Sequence, residues 1–324
     1  MKLISFKNIF FFLIGIFFIA WLYNFFSGPE SLQYILDHKE LGFFLVLAHI
    51  PTIYFDSVSW QFLMKTKQLN IYWCFVITWI SQTSGKFFPT GNVTGEFVRI
   101  FLSTKKGMSG SEASSTVMGD VALAAISLLI MAIFSFLSLI YLYEEFSILG
   151  GANKYLFYSI LILSLASLIF CFSIRKRFLK SLIKKPLIFF KFNIKHVKSL
   201  LRFDYELYAL SFRMKTVCFA LIIRLLGWIG GAFEIYIFFF VIGIDVSLLD
   251  VIIIESFTAI LRSIIFFIPA GLGVQEIAFV IAGNFVGLSS EISFSAAIGR
   301  RIREVLVGIP AIISWYTLFK KTNN

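Results

Sequence analysis

Apolar residues run through this chain in blocks too long for a soluble core, and polar residues fall mainly between the blocks. Residues 8–26, 41–63, 113–142, 154–174, 213–242 and 293–317 each approach or exceed the ~20 residues that a helix needs to cross ~30 Å of hydrocarbon. Each is read as a full membrane span. Two more apolar stretches, 71–88 and 249–268, end at a proline instead of a polar loop. Each leads into a short arm, 96–104 and 277–288, and the second arm makes only ~18 Å of helix. The predicted fold is therefore all-α: a polytopic membrane protein with about six full spans plus two re-entrant helical hairpins in an inverted-repeat arrangement. Residues 1–324 form one integral membrane domain, with a first repeat at about 41–142 and a second at about 213–317.

The two interruptions are near copies. Pro89-Thr90-Gly91-Asn92-Val93-Thr94-Gly95-Glu96 and Pro269-Ala270-Gly271-Leu272-Gly273-Val274-Gln275-Glu276 both read Pro-x-Gly-x-x-x-x-Glu. Each follows two bulky apolar residues, and each is followed by a Ser-Glu pair (Ser111-Glu112, Ser290-Glu291) and another span. A helix stops inside a membrane only where its freed N–H and C=O groups are buried in protein or wetted by a cavity. Proline omits one donor, and glycine permits the turn and close packing. Pro89, Gly91, Gly95, Pro269, Gly271 and Gly273 are thus the predicted hairpin breaks. The helix restarting after each break offers amide donors and a positive dipole end that suit a phosphate. The alternative is that each Pro-Gly simply kinks an ordinary span.

Composition fixes the class. The chain is 59% hydrophobic and 15% charged, with 41 Phe, far from a soluble average. A net charge of +11 in a soluble protein would point to nucleic acid. Here the basic residues gather in loops, ten of them in the connector at about 175–202, so orientation and anionic lipid explain them better and no nucleic-acid partner is expected. With Lys65, Lys67, that connector and the C-terminal lysines on the cytoplasmic side, the parity of crossings works only if 71–104 dips in and returns. Both termini are then cytoplasmic, in a bacterial cytoplasmic (inner) membrane. Cys74, Cys171 and Cys218 have no metal or disulfide spacing. No nucleotide loop, zinc motif or nucleophile triad occurs, so no cofactor and no enzyme activity are expected.

Charges at membrane depth cost at least ~2.5 kcal/mol each on insertion scales, and they line cavities or pair. Glu96, Arg99, Asp120, Glu276, Arg300 and Arg301 are the candidate substrate-binding residues. Arg224, Glu234, Glu255 and Arg262 are read as structural pairs. His49 and Asp56 lie seven apart on one helical face, as a hydrogen-bonded pair or a proton relay. Apart from Lys86, the deep cations are arginines, whose planar fork binds phosphate bidentately and stays charged when desolvated.

Pro89…Gly95-Glu96…Arg99 with the Glu112–Asp120 region, and Pro269-Ala270-Gly271-Leu272-Gly273…Glu276 with Arg300-Arg301, resemble the flippase-like membrane region of lysylphosphatidylglycerol synthases. The resemblance covers about 8–317 and implies movement of lipids, notably aminoacylated phosphatidylglycerol, between leaflets. Two departures stand out. The chain stops at Asn324, without the soluble aminoacyl-transferase domain of the full synthases, and Met118-Gly119-Asp120 occupies the place of an expected Glu-Arg pair. The expected function is translocation of an anionic or isoprenoid-type, phosphate-bearing lipid, in contact with membrane lipids, through a cavity lined by Glu96, Arg99, Glu276 and Arg300. The competing reading is a membrane-embedded enzyme or accessory subunit of lipid or glycolipid assembly.

Overall fold

The structure is a computed structural model, and it describes residues 21–26, 28–65, 68–87, 92–142, 152–177, 180, 194–265, 268 and 271–319. Within these the chain is helical: α1 Gly28–Leu36, α2 Leu41–Leu63, α3 Ile71–Phe87, α4 Asn92–Lys105, α5 Gly110–Leu142, α6 Ala152–Arg175, α7 Ile194–Ser211, α8 Met214–Val241, α9 Leu248–Ile264, α10 Val274–Phe285 and α11 Ser290–Phe319. Four of them, α2, α5, α8 and α11, are long and apolar enough to cross a membrane. They coincide with four of the six predicted spans. The predicted span 154–174 falls in α6. Most of the span 8–26, most of the connector 175–202, and the break residues Pro89, Gly91 and Pro269 lie outside the described residues.

The four long helices are apolar over most of their length and leave large side chains such as Phe134, Leu137, Ile222 and Ile313 on the outside. That inverts a soluble fold, as a lipid environment allows. Small residues bring two of them close together. On α8, a Cβ at Gly230 would lie 3.0 Å from Thr52 Oγ1, and one at Gly227 only 2.8 Å from Asp56 Oδ1. This small-residue stripe lets α2 and α8 lie against each other along their lengths.

The two interrupted segments form helix pairs. At 17 and 14 residues, α3 and α4 are ~26 and ~21 Å long; at 17 and 12 residues, α9 and α10 are ~26 and ~18 Å. All fall short of ~30 Å. α3 and α4 pack together so closely that a Cβ on Gly95 would meet Ser81 O at 2.6 Å. Their outer ends are level: Lys106, just past α4, sets its Nζ 3.4 Å from the ring centre of Trp73 at the start of α3. The same Nζ is 5.0 Å from Phe319, the last residue of α11. In the second pair, Leu249 at the start of α9 clusters with Phe285 and Val286 at the end of α10, beside Leu139 near the end of α5. The first pair thus has its open end at the finish of α11, whereas the second has it at the finish of α5. α9 starts on a capping box in which Ser247 and Asp250 exchange hydrogen bonds. Between α9 and α10, Gly271 (φ +59°) and Gly273 (φ +80°) adopt left-handed backbone, a conformation nearly closed to other residues.

Candidate functional site

A cavity of about 370 Å³ lies among α2, α3, α8, α9 and α11. Gly85, Lys86 and Val93 from either side of the first break line it, together with Arg262, Ser263, Ile268 and Gly271 around the second. The two interruptions therefore look into one space. Its walls carry five cations, Lys86, Arg224, Arg262, Arg300 and Arg303, and four carboxylates, Asp56, Glu234, Glu255 and Glu304.

Four of the cations each have a lining carboxylate as partner. Arg303 Nε and Nη2 lie 2.8 Å from Glu234 Oε1, and Arg300 Nη2 lies 2.6 Å from Glu255 Oε2. Lys86 Nζ is 3.4 Å from Glu304 Oε1, and Arg224 Nη1 is 3.3 Å from Asp56 Oδ1. Such pairing is what makes charge tolerable at this depth, because an unmatched buried ion is the costly case. His49 completes the Glu234 cluster. Arg303 Nη1 donates to its Nε2 at 3.3 Å, so Nδ1–H donates to Glu234 Oε2 at 2.9 Å. Gln82 Nε2 donates to the other Asp56 oxygen at 2.7 Å. His49 and Asp56 do share a face, yet they are not bonded to each other: His49 reaches Glu234 on α8 and Arg303 on α11, whereas Asp56 reaches Arg224 on α8 and Gln82 on α3.

Of the six predicted substrate-binding residues, only Arg300 lines the cavity. Arg99 and Asp120 form a buried pair behind it at 2.6 Å, with Arg99 Nη2 donating to Thr78 and its guanidinium over the Trp60 ring. Asp120 also receives Arg224 at 3.2 Å. Glu96, about a third exposed, lies 3.9 Å from Arg99 and is not among the lining residues. Glu276 is buried, takes the Gly273 N–H at 2.8 Å and holds Arg301 at 2.6 Å. Arg301 in turn donates to Gly271 O at 3.0 Å and to Glu304 at 3.0 Å. Glu276 thus takes the Gly273 N–H at the start of its own helix, the carboxylate half of a capping box, and no α10 residue is among those that line the cavity. The second Pro-Gly-Glu copy is a clasp that ties the break to α11.

Sequence reasoning set Arg224, Glu234, Glu255 and Arg262 apart as structural pairs; the structure puts all four on the cavity wall. Three are indeed paired. A signal for them was present in Gly227-x-x-Gly230-Gly231, where the absent side chains leave room for carboxylates: a Cβ on Gly231 would come within 3.1 Å of Glu255 Oε1.

Long apolar helices around a network of buried ions define a polytopic integral membrane protein with a polar chamber. Residues 8–311 match the family described as "Lysylphosphatidylglycerol synthase TM region". The chain belongs to this lysylphosphatidylglycerol synthase membrane-region family. No curated protein and no solved structure matches it.

Proposed function

We propose that the protein moves a phosphate-bearing lipid between the leaflets of a membrane, with the headgroup passing through the chamber while the acyl chains stay in the bilayer. One observation carries this: residues flanking both interruptions line a single charged cavity. Its ~370 Å³ sits at the lower end of ligand pockets, a headgroup's space and not a whole lipid's. The two short helix pairs act as re-entrant hairpins inserted from opposite faces, the inverted-repeat plan of carriers whose site lies where broken helices meet. Their level outer ends, at opposite ends of the bundle, support that reading. The membrane is a bacterial cytoplasmic membrane, with both termini on the cytoplasmic side.

The enzyme reading is the weaker one, since each lining carboxylate is already held by an arginine or lysine and general acid/base work needs a carboxyl free to trade a proton. Ala259 lines the chamber from α9 and is half-buried. In proteoliposomes carrying fluorescent phospholipids, the wild type should expose the inner-leaflet label to an external quencher faster than empty vesicles. Ala259→Trp, which fills the chamber, should remove that excess while leaving the thermal melt in place. Wild-type rates equal to those of empty vesicles for every phospholipid tested would end the proposal.

A further inference from the structure

We infer that Arg262 is the anion receptor of this chamber and that the chamber selects headgroups carrying one net negative charge. The inference deepens the translocation reading above. Among the described residues Arg262 is the one lining cation with no carboxylate within 4.0 Å. Its Nη1 donates instead to Gln275 Oε1 at 2.8 Å, a neutral partner. Gln275 is itself fully buried at the start of α10, so it aims the guanidinium without neutralising it. Arg262 is only half-buried and lines the cavity.

A second, independent observation points to a ligand here. Thr258 lies one turn before Arg262 on the same face of α9. It is fully buried and lines the cavity, and its hydroxyl has no hydrogen-bond partner among the described residues. Buried polar groups left so are rare and costly. An oxyanion held by the guanidinium fork would accept from this hydroxyl as well, using donors that otherwise go unanswered. Gly271 keeps the approach clear, since a Cβ there would lie 3.3 Å from Arg262 Nε.

The charge count sets the selectivity. Among the lining side chains, five cations face four carboxylates, and with the other four cations each beside a carboxylate the charge of Arg262 is left to answer. A phosphodiester brings one negative charge and closes the balance. A diphosphate brings more and leaves unmatched charge in a low-dielectric site.

The test measures binding to the purified protein in detergent, using dihexanoylphosphatidylglycerol as the phosphodiester and geranyl diphosphate as the more highly charged competitor. The wild type should prefer the phosphodiester, and Arg262→Gln should weaken it by about tenfold or more. Gln275→Glu is the decisive variant, because it keeps the shape and the contact to Arg262 but cancels the free charge. It should weaken phosphodiester binding as much as Arg262→Gln does. Wild-type affinity in either variant, or a wild type that prefers the diphosphate, overturns the inference. Binding is read separately from leaflet exchange, so exchange lost with this binding intact overturns the translocation reading alone.

Discussion

At the scale of single residues, the chamber is a set of charges that tolerate the membrane only through each other. Arg303 and Glu234 are both about 2% exposed, and Glu234 also holds His49. Removing one member strands the others. Arg303→Met should cost about 3–5 kcal/mol of stability, the usual penalty for breaking a buried ion pair from one side. Adding Glu234→Met should recover part of that loss, giving strong coupling in a double-mutant cycle read by unfolding in mixed micelles. Equal and additive losses would mean that the pair is not a unit. Residue-level reading of the sequence can reach contacts that spacing encodes, such as Glu96–Arg99 and Arg301–Glu304, three apart on one helix face. It missed the partners of Glu234, which lie 185 and 69 residues away on α2 and α11. No local pattern carries such separations.

The helices themselves were legible. Four predicted spans match four long apolar helices to within a few residues, because lipid demands continuous apolar length and the sequence displays length directly. The proline-glycine punctuation also marked where the short helices part. Hydropathy could not show which break residues bind and which merely fasten. Glu276 looked like a ligand-facing carboxylate, yet its geometry is that of a helix-capping group tied to Arg301. The fold-back of α3 and α4 yields a sharp prediction at this scale. In a cysteine-free background, Lys65→Cys and Lys105→Cys, both at exposed positions, should be labelled by an impermeant thiol reagent from the same side of the membrane. Asp245→Cys, beyond α8, should be labelled from the other. Labelling of the Lys105 position together with Asp245 would mean that the segment crosses straight through.

For the molecule as a whole, residues flanking both interruptions line one charged chamber, and the translocation proposal rests on that convergence. On that proposal, the phosphate would meet lining side chains that are mostly paired, with Arg262 left to answer it, while the tails would slide along the outer apolar surface of the long helices. The most direct measurement is photo-crosslinking with a phospholipid whose headgroup carries the reactive group, followed by mapping of the modified residues. Label concentrated on the chamber wall, at Thr258, Arg262 and Gly231, is the predicted result. Label confined to outward-facing positions such as Phe240 and Tyr141, with none on the chamber wall, would contradict passage of the headgroup between the two breaks.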